Sequence, residues 1–193
     1  MTRVVHLHIG CHKTGTTALQ ARAARHVAAL RAQGVDYPRV CWSGEAHHGL
    51  PVALTGAKPI RSGEALGRDA ALDALRRAID TSPCPRVLIS AEALFKSPAA
   101  ALAPLAAALA PYDVEILLTL RRPDELYLSA YAQRARDPFD PFHAPLGAHL
   151  DAPWRMAPDT RFGTHLATWR KLFGQAVFHV FPFEEGDPVE RIL

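Results

Sequence analysis

The segment from Gly10 to Thr17 has the composition of an anion-binding turn. It reads Gly-Cys-His-Lys-Thr-Gly-Thr-Thr and combines two glycines, one lysine and three threonines. A strand-like run over residues 3–9 precedes it, and a run of strong helix formers follows it. A turn between a strand and a helix directs backbone N–H groups, and the positive end of the helix dipole, at a phosphate. The sequence therefore predicts a phosphate-binding loop at residues 10–17.

The position of the lysine distinguishes this loop from that of ordinary ATPases and GTPases. Gly10 and Gly15 have the spacing of a Walker A loop, but Thr16 stands where that motif requires a lysine. The lysine of this loop is Lys13, which lies inside the turn. This arrangement argues against ordinary hydrolysis of ATP or GTP.

Alternating strands and helices are needed to position such a loop. Hydrophobic patterning predicts strands at residues 3–9, 35–38, 86–90, 114–120 and 176–181. It predicts helices at residues 16–33, 64–79, 98–110, 123–134 and 160–173, and a long loop with one helical turn at 39–62. This alternation predicts an α/β fold with three layers, α/β/α, around a central parallel sheet.

The loop resembles the 5′-phosphosulfate loop of sulfotransferases that use 3′-phosphoadenosine-5′-phosphosulfate (PAPS). In that family a loop of the form Lys-[Ser/Thr]-Gly-Thr-Thr follows the first strand, as Lys13 to Thr17 does here. A second family motif is an arginine at the end of a strand, with a serine eight positions later. Arg121 and Ser129 match it, with a proline between them. The resemblance to PAPS-dependent sulfotransferases implies a P-loop-kinase-like fold and a single domain over residues 1–193.

The resemblance implies a role for the residues of both motifs. Lys13 would donate to the oxygen that bridges sulfur and the leaving phosphate, where negative charge develops. The 5′-phosphate side of PAPS would be bound by His12, Lys13, Thr14, Gly15, Thr16 and Thr17. Arg121 and Ser129 would hold the 3′-phosphate, and Arg122 would replace Arg121 if the match shifted by one residue. No metal is implied.

The general base that takes the proton of the acceptor hydroxyl has two sets of candidates. Residues 85–90 resemble the strand that leads to the base in this family, and Glu92 is the first candidate because other branches use a glutamate. His47 and His48 are the second, since some carbohydrate sulfotransferases place acceptor-side residues in such a loop and histidine titrates near neutral pH. If these residues have no catalytic role, Glu92 is an exposed carboxylate at the start of a helix, and His47 and His48 are two surface histidines of a loop.

Two other functions remain compatible with the loop. One is a P-loop nucleotide or small-molecule kinase, which Thr16 disfavours, and the other is a non-catalytic nucleotide-binding member of the same fold. The stretch from Lys13 to Leu19 resembles the branch of the family that acts on carbohydrates, and this resemblance implies a carbohydrate or a related polar hydroxyl compound as acceptor. The segment 137–154, rich in Phe, Pro and His, is either a lid over the acceptor or a solvated connection.

Composition excludes several classes of protein. The net charge is +3 over 193 residues, and the basic side chains are scattered, which disfavours nucleic acid as a partner. No apolar run reaches the roughly 18 residues that a membrane span needs. The N-terminus leads directly into a strand without a signal peptide, so we expect a cytoplasmic protein.

A helix start at residues 187–190 is followed almost at once by the end of the sequence at Leu193. This pattern predicts that a C-terminal portion is missing, including the Arg-Lys-Gly loop that the resemblance to the family implies.

Overall fold

Strands and helices alternate along the chain. The computed structural model describes residues 2–57, 66–136, 145–150 and 160–186, together with residues 190 and 192. Within these residues the strands are β1 (Val4–His8), β2 (Val35–Asp36), β3 (Arg86–Ser90), β4 (Asp113–Leu120) and β5 (Val177–Pro182). The helices are α1 (Thr16–Arg25), α2 (Val27–Ala32), α3 (Gly49–Thr55), α4 (Arg68–Asp80), α5 (Ala99–Leu109), α6 (Pro123–Arg136), α7 (Leu146–Leu150) and α8 (Phe162–Leu172). Short 3₁₀ turns at Glu92–Leu94 and Phe183–Glu185 follow β3 and β5.

The strands form one parallel sheet in the order β2-β3-β1-β4-β5. β1 is central, and its Val4 pairs with Arg86 of β3 and with Asp113 of β4. Because all strands run in the same direction, their carboxyl ends lie at one edge of the sheet. The segments that follow β1, β3 and β4 therefore come together at this edge.

Helices cover both faces of the sheet. Val5, Leu7 and Ile9 face a large core cluster to which α3, α4, α5 and α8 contribute Leu50, Leu75, Leu105 and Trp169. The other face carries a smaller cluster, built on Leu88 and Leu117 and covered by Ala23 of α1 and Leu30 of α2. The predicted three-layer α/β/α fold with a central parallel sheet is confirmed.

Two local predictions were wrong. The helix expected over residues 16–33 is interrupted at His26, whose φ of −114° and ψ of 31° are not helical. The sequence has no proline or glycine at this position, so no local residue explains the break. The loop 39–62 contains α3, a helix of seven residues rather than one turn, because Leu50 and Leu54 are both buried.

Some predictions fall on residues outside the described ranges. The acceptor-lid segment 137–154 is described only over residues 145–150, and the expected helix start at 187–190 only at residue 190. Among the helices that are described, none has the length and apolar character needed to cross a bilayer.

Candidate active site

The loop after β1 turns sharply through three residues with left-handed backbone. Gly10, Lys13 and Gly15 have φ values of 38°, 66° and 75°. The amide of Cys11 donates to the carbonyl of Thr119 at 3.2 Å, which fixes the start of the loop to the end of β4. α1 then begins at Thr16, and the first N–H groups of a helix have no acceptor within the helix itself. The loop is therefore placed to bind an anion.

Gly10 is required by both conformation and space. A Cβ atom at this position would lie 2.7 Å from Cγ2 of Thr16 and 3.1 Å from Nε2 of His8. The imidazole of His8 thus forms the floor of the loop, and the side chain of Thr16 packs against the start of the loop at Gly10. Any side chain at residue 10 would push the loop away from this floor.

The threonines of the loop have different roles. The hydroxyl of Thr14 is buried and donates to the carbonyl of Cys11 at 2.6 Å, which closes the turn on itself. Thr16 is also buried, whereas Thr17 is exposed on the first turn of α1. Thr14 and Thr16 therefore shape the loop with their side chains and can offer a ligand their backbone amides.

Lys13 is connected to two other elements. Its Nζ donates to Oε1 of Gln133 on α6 at 2.9 Å, and its carbonyl accepts from Nη1 of Arg121 at 3.2 Å. Gln133 is neutral, so this contact leaves the charge of the ammonium group uncompensated. Lys13 is thus bracketed by α6 and by the end of β4, at the edge where the strands end.

Arg121 and Arg122 have separate environments. The guanidinium of Arg121 also donates to Oε2 of Glu125 at 3.2 Å and lies 4.9 Å from the ring centre of Phe183. Its Nε is buried, and within the described part of the chain it has no hydrogen-bond partner. Arg122 is exposed and pairs with Asp124 at 2.6 Å. Arg121, rather than Arg122, contacts the phosphate-binding loop.

Ser129 lies one turn before Gln133 on the same helix and is half-buried. The structure thus brings Lys13 and Arg121 into direct contact, and Gln133 links Lys13 to the helix that carries Ser129. His12 is half-buried in the loop, and its charge acts on Glu92.

Glu92 lies at the carboxyl end of β3, beside the end of β1. The preceding amide, of Ala91, donates to the carbonyl of His8 at 3.0 Å. The carboxylate is 14% exposed and accepts from Nε2 of Gln20 at 2.7 Å, and Nδ1 of His48 lies 3.9 Å away. Burial by itself raises the pKa of Glu92, but the Gln20 hydrogen bond and the nearby histidines outweigh it and lower this pKa below its usual value. Glu92 is therefore a carboxylate at neutral pH.

His47 is buried among backbone groups and aromatic rings. Its Nδ1 accepts from the amide of Ser90 at 3.1 Å, and its Nε2 donates to the carbonyl of Pro38 at 2.9 Å. The ring also makes an edge contact with Tyr37. Burial lowers the pKa of His47 to about 4, so the imidazole is neutral near pH 7. Both ring nitrogens are engaged by the backbone, whereas His48 is partly exposed and faces Glu92.

The architecture is similar to that of a solved structure, the sulfotransferase from Alicyclobacillus acidocaldarius. The similarity has a TM-score of 0.55 at 19% sequence identity and covers 96% of this chain and 74% of that chain. This is a sulfotransferase fold. No protein-family model and no curated protein matches the sequence.

The contact between Gln20 and Glu92 was not predicted from the sequence. Thr16, Leu19 and Ala23 form the buried stripe of α1, and Gln20 occupies a position within that stripe. A polar residue at an i+4 position of a buried stripe is the signal that could have marked it as a residue of interest, although the pattern does not identify its partner. Gln133, which contacts Lys13, is exposed on α6 and carries no comparable signal.

Proposed function

We propose that this chain is a sulfotransferase that moves a sulfuryl group from PAPS to a hydroxyl acceptor. The observation that supports it most is the contact between Arg121 and the carbonyl of Lys13 at 3.2 Å. This contact joins the residues that match the two family motifs at one edge of the sheet, although they are 108 positions apart. A phosphate loop alone would be equally compatible with other nucleotide-binding proteins.

The described residues fit the two charged ends of PAPS. The loop 12–17, with left-handed backbone at Lys13 and Gly15, would bind the 5′-phosphate side through its amides. Arg121 and Ser129 would hold the 3′-phosphate, and the buried Nε of Arg121 is a donor that the described residues leave without a partner. When bound, PAPS supplies the sulfuryl group and a phosphate leaving group.

Lys13 would stabilise the negative charge that develops on the leaving oxygen. Its ammonium group now contacts a neutral amide, Gln133, so the full charge remains available for an anionic group. Moving Nζ from Gln133 requires only rotation of a flexible side chain, whereas the backbone of Lys13 is held by Arg121. The loop thus fixes the position of the lysine while the ammonium remains adjustable.

Glu92 would accept the proton that the acceptor hydroxyl loses. It is ionised at neutral pH and lies at the same edge of the sheet as the loop. His48 is close enough to assist it, because its Nδ1 is 3.9 Å from Glu92. We assign His47 a structural role, since its ring would have to give up two backbone contacts to act as a base. The acceptor we propose is a carbohydrate or similar polar hydroxyl compound, and the compartment is the cytoplasm.

The test is calorimetric binding of adenosine 3′,5′-bisphosphate, the product that PAPS leaves behind, compared with ATP plus Mg²⁺. We expect the bisphosphate to bind. At a ligand concentration of a hundred times its Kd, the folded protein should gain about 2.7 kcal/mol of stability, measured in a thermal shift assay. Binding of ATP plus Mg²⁺ alone would favour a nucleotide kinase and contradict this function.

Two adjacent arginines provide the matched variants. Arg121→Lys removes the planar donor group that contacts the loop, and we expect about tenfold weaker binding of the bisphosphate. Arg122→Lys alters an exposed side chain paired with Asp124, and we expect affinity within about twofold of wild type. Equal losses in both variants would exclude Arg121 as the specific 3′-phosphate ligand.

A further inference from the structure

Gln20 is a buried polar residue of α1 whose amide group joins this helix to the carboxyl end of β3. It is 3% exposed, and its Nε2 donates to Oγ of Ser90 at 3.1 Å and to Oε2 of Glu92 at 2.7 Å. Both acceptors lie at the carboxyl end of β3, whereas Gln20 belongs to the helix that follows the phosphate loop. Burying an amide is unfavourable unless its hydrogen bonds are made, and here both hydrogens of the amide have an acceptor.

The orientation of this amide is fixed by chemistry. An ionised carboxylate can only accept hydrogen bonds, so the NH₂ group of Gln20, and not its carbonyl, must face Glu92. Ser90 then accepts the second hydrogen through Oγ, and its own hydroxyl hydrogen is free to reach Nδ1 of His8 at 2.8 Å. Burial lowers the pKa of His8 to about 4, so this imidazole is neutral and can accept at Nδ1.

The resulting hydrogen-bond chain runs from the floor of the phosphate loop to the carboxylate. Nε2 of His8 is one of the atoms that a Cβ at Gly10 would meet, and Ser90 and Gln20 continue the chain to Glu92. His8 and Ser90 are completely buried, so water cannot replace these contacts without rearrangement of the sheet edge. The position of the carboxylate is thereby coupled to the loop.

We infer that Gln20 is a positioning residue, which holds the Glu92 carboxylate in the orientation from which it receives the acceptor's proton. This inference rests on the proposed function, in which Glu92 is the general base. Within the described part of the chain, the titratable groups that interact electrostatically with Glu92 include His8, His12, Tyr37 and His48. Gln20 is a neutral group, and it contributes a hydrogen bond of 2.7 Å to this carboxylate.

Gln20→Met tests the inference, because methionine keeps the length of the side chain and removes both donors. The measurement is the titration of the Glu92 carboxyl carbon by NMR in protein labelled with ¹³C-glutamate, with the signal assigned from its loss in Glu92→Gln. Loss of a hydrogen bond to the carboxylate is expected to raise its midpoint by about one pH unit. Gln33→Met, at an exposed glutamine of the same helical region, is the matched control and should leave the midpoint unchanged.

An unchanged midpoint in folded Gln20→Met overturns the inference. If this variant does not fold, the wild-type protein gives the answer instead. The two Nε2 protons of Gln20 should then shift with pH at the same midpoint as the carboxyl carbon of Glu92. Independent behaviour of these signals would show that the amide does not hold the carboxylate.

A kinetic measurement separates positioning for the reaction from a purely structural role. The probe is release of sulfate from PAPS with water as the acceptor. Gln20→Met should lower kcat about tenfold without changing the KM for PAPS, and it should add little to the loss in Glu92→Gln, because Gln20 acts through Glu92. Additive losses would overturn the inference. Absence of bisphosphate binding to wild type would instead contradict the proposed function, and the NMR titration distinguishes the two failures.

Discussion

Gly10 is the residue at which the shape of the phosphate loop is most tightly constrained. Gly10→Ala combines a positive φ of 38° with a Cβ that would lie 2.7 Å from Thr16. Thr16 is β-branched and buried, so it cannot easily rotate away. We expect a loss of about 2–3 kcal/mol in unfolding free energy, measured with urea, and at least about tenfold weaker binding of adenosine 3′,5′-bisphosphate.

Gly56 provides the control for this substitution. It ends α3 with a φ of 69°, and a Cβ there would meet no atom within 4 Å. Gly56→Ala therefore measures the backbone cost alone, which we expect to be about 1 kcal/mol, with ligand binding unchanged. Equal effects of the two substitutions would show that steric contact with Thr16 and His8 does not shape the loop.

At the scale of elements, α8 anchors the segment that carries Glu92. Trp169 is completely buried, and its Nε1 donates to the carbonyl of Phe95, three residues after Glu92, at 3.1 Å. Trp169→Phe removes this donor and part of the packing, and we expect a loss of about 2–3 kcal/mol in unfolding free energy. Trp42→Phe, which removes a similar bond to Pro38 from a half-buried ring, should cost about 1 kcal/mol. A loss for Trp169→Phe no larger than that for Trp42→Phe would contradict this anchoring.

The strands and helices were predictable from sequence where the hydrophobic pattern of a segment agrees with the way the segment is buried in the fold. The strand at 86–90 has the same bounds in the structure as in the prediction, because a buried parallel strand reads as a continuous apolar run. The break at His26 was not predictable, since no local residue causes it. Gln20 shows the same limit within the site, because only the packing of α1 over the end of β3 brings its amide to Glu92. Sequence places residues on elements, whereas contacts between elements depend on the whole fold.

At the scale of the whole molecule, two buried neutral histidines make stability depend on pH. The pKa values of His8 and His47 are lowered to about 4 by burial, compared with about 6.5 in the unfolded chain. Between these values the unfolded state binds more protons than the folded state, so stability is present above pH 6.5 and is lost as pH falls towards 4. Each histidine is expected to remove about 2 kcal/mol between pH 7 and pH 5.

Urea unfolding at pH 7 and pH 5, at constant ionic strength, measures this loss. His26→Gln, at an exposed histidine, is the control and should show the same difference between the two pH values as wild type. Equal stability at pH 7 and pH 5 would mean that the two buried imidazoles take up protons as readily as those of an unfolded chain.

Lys13 sets a limit on how far this protein can be stabilised by redesign. Its φ of 66° belongs to a region in which glycine is comfortable and a lysine costs about 1–2 kcal/mol. A stability-guided redesign would therefore choose glycine at this position first, and would thereby delete the ammonium group from the loop. Any gain in melting temperature has to come from other positions, because this backbone penalty is inseparable from placing a positive charge inside the turn.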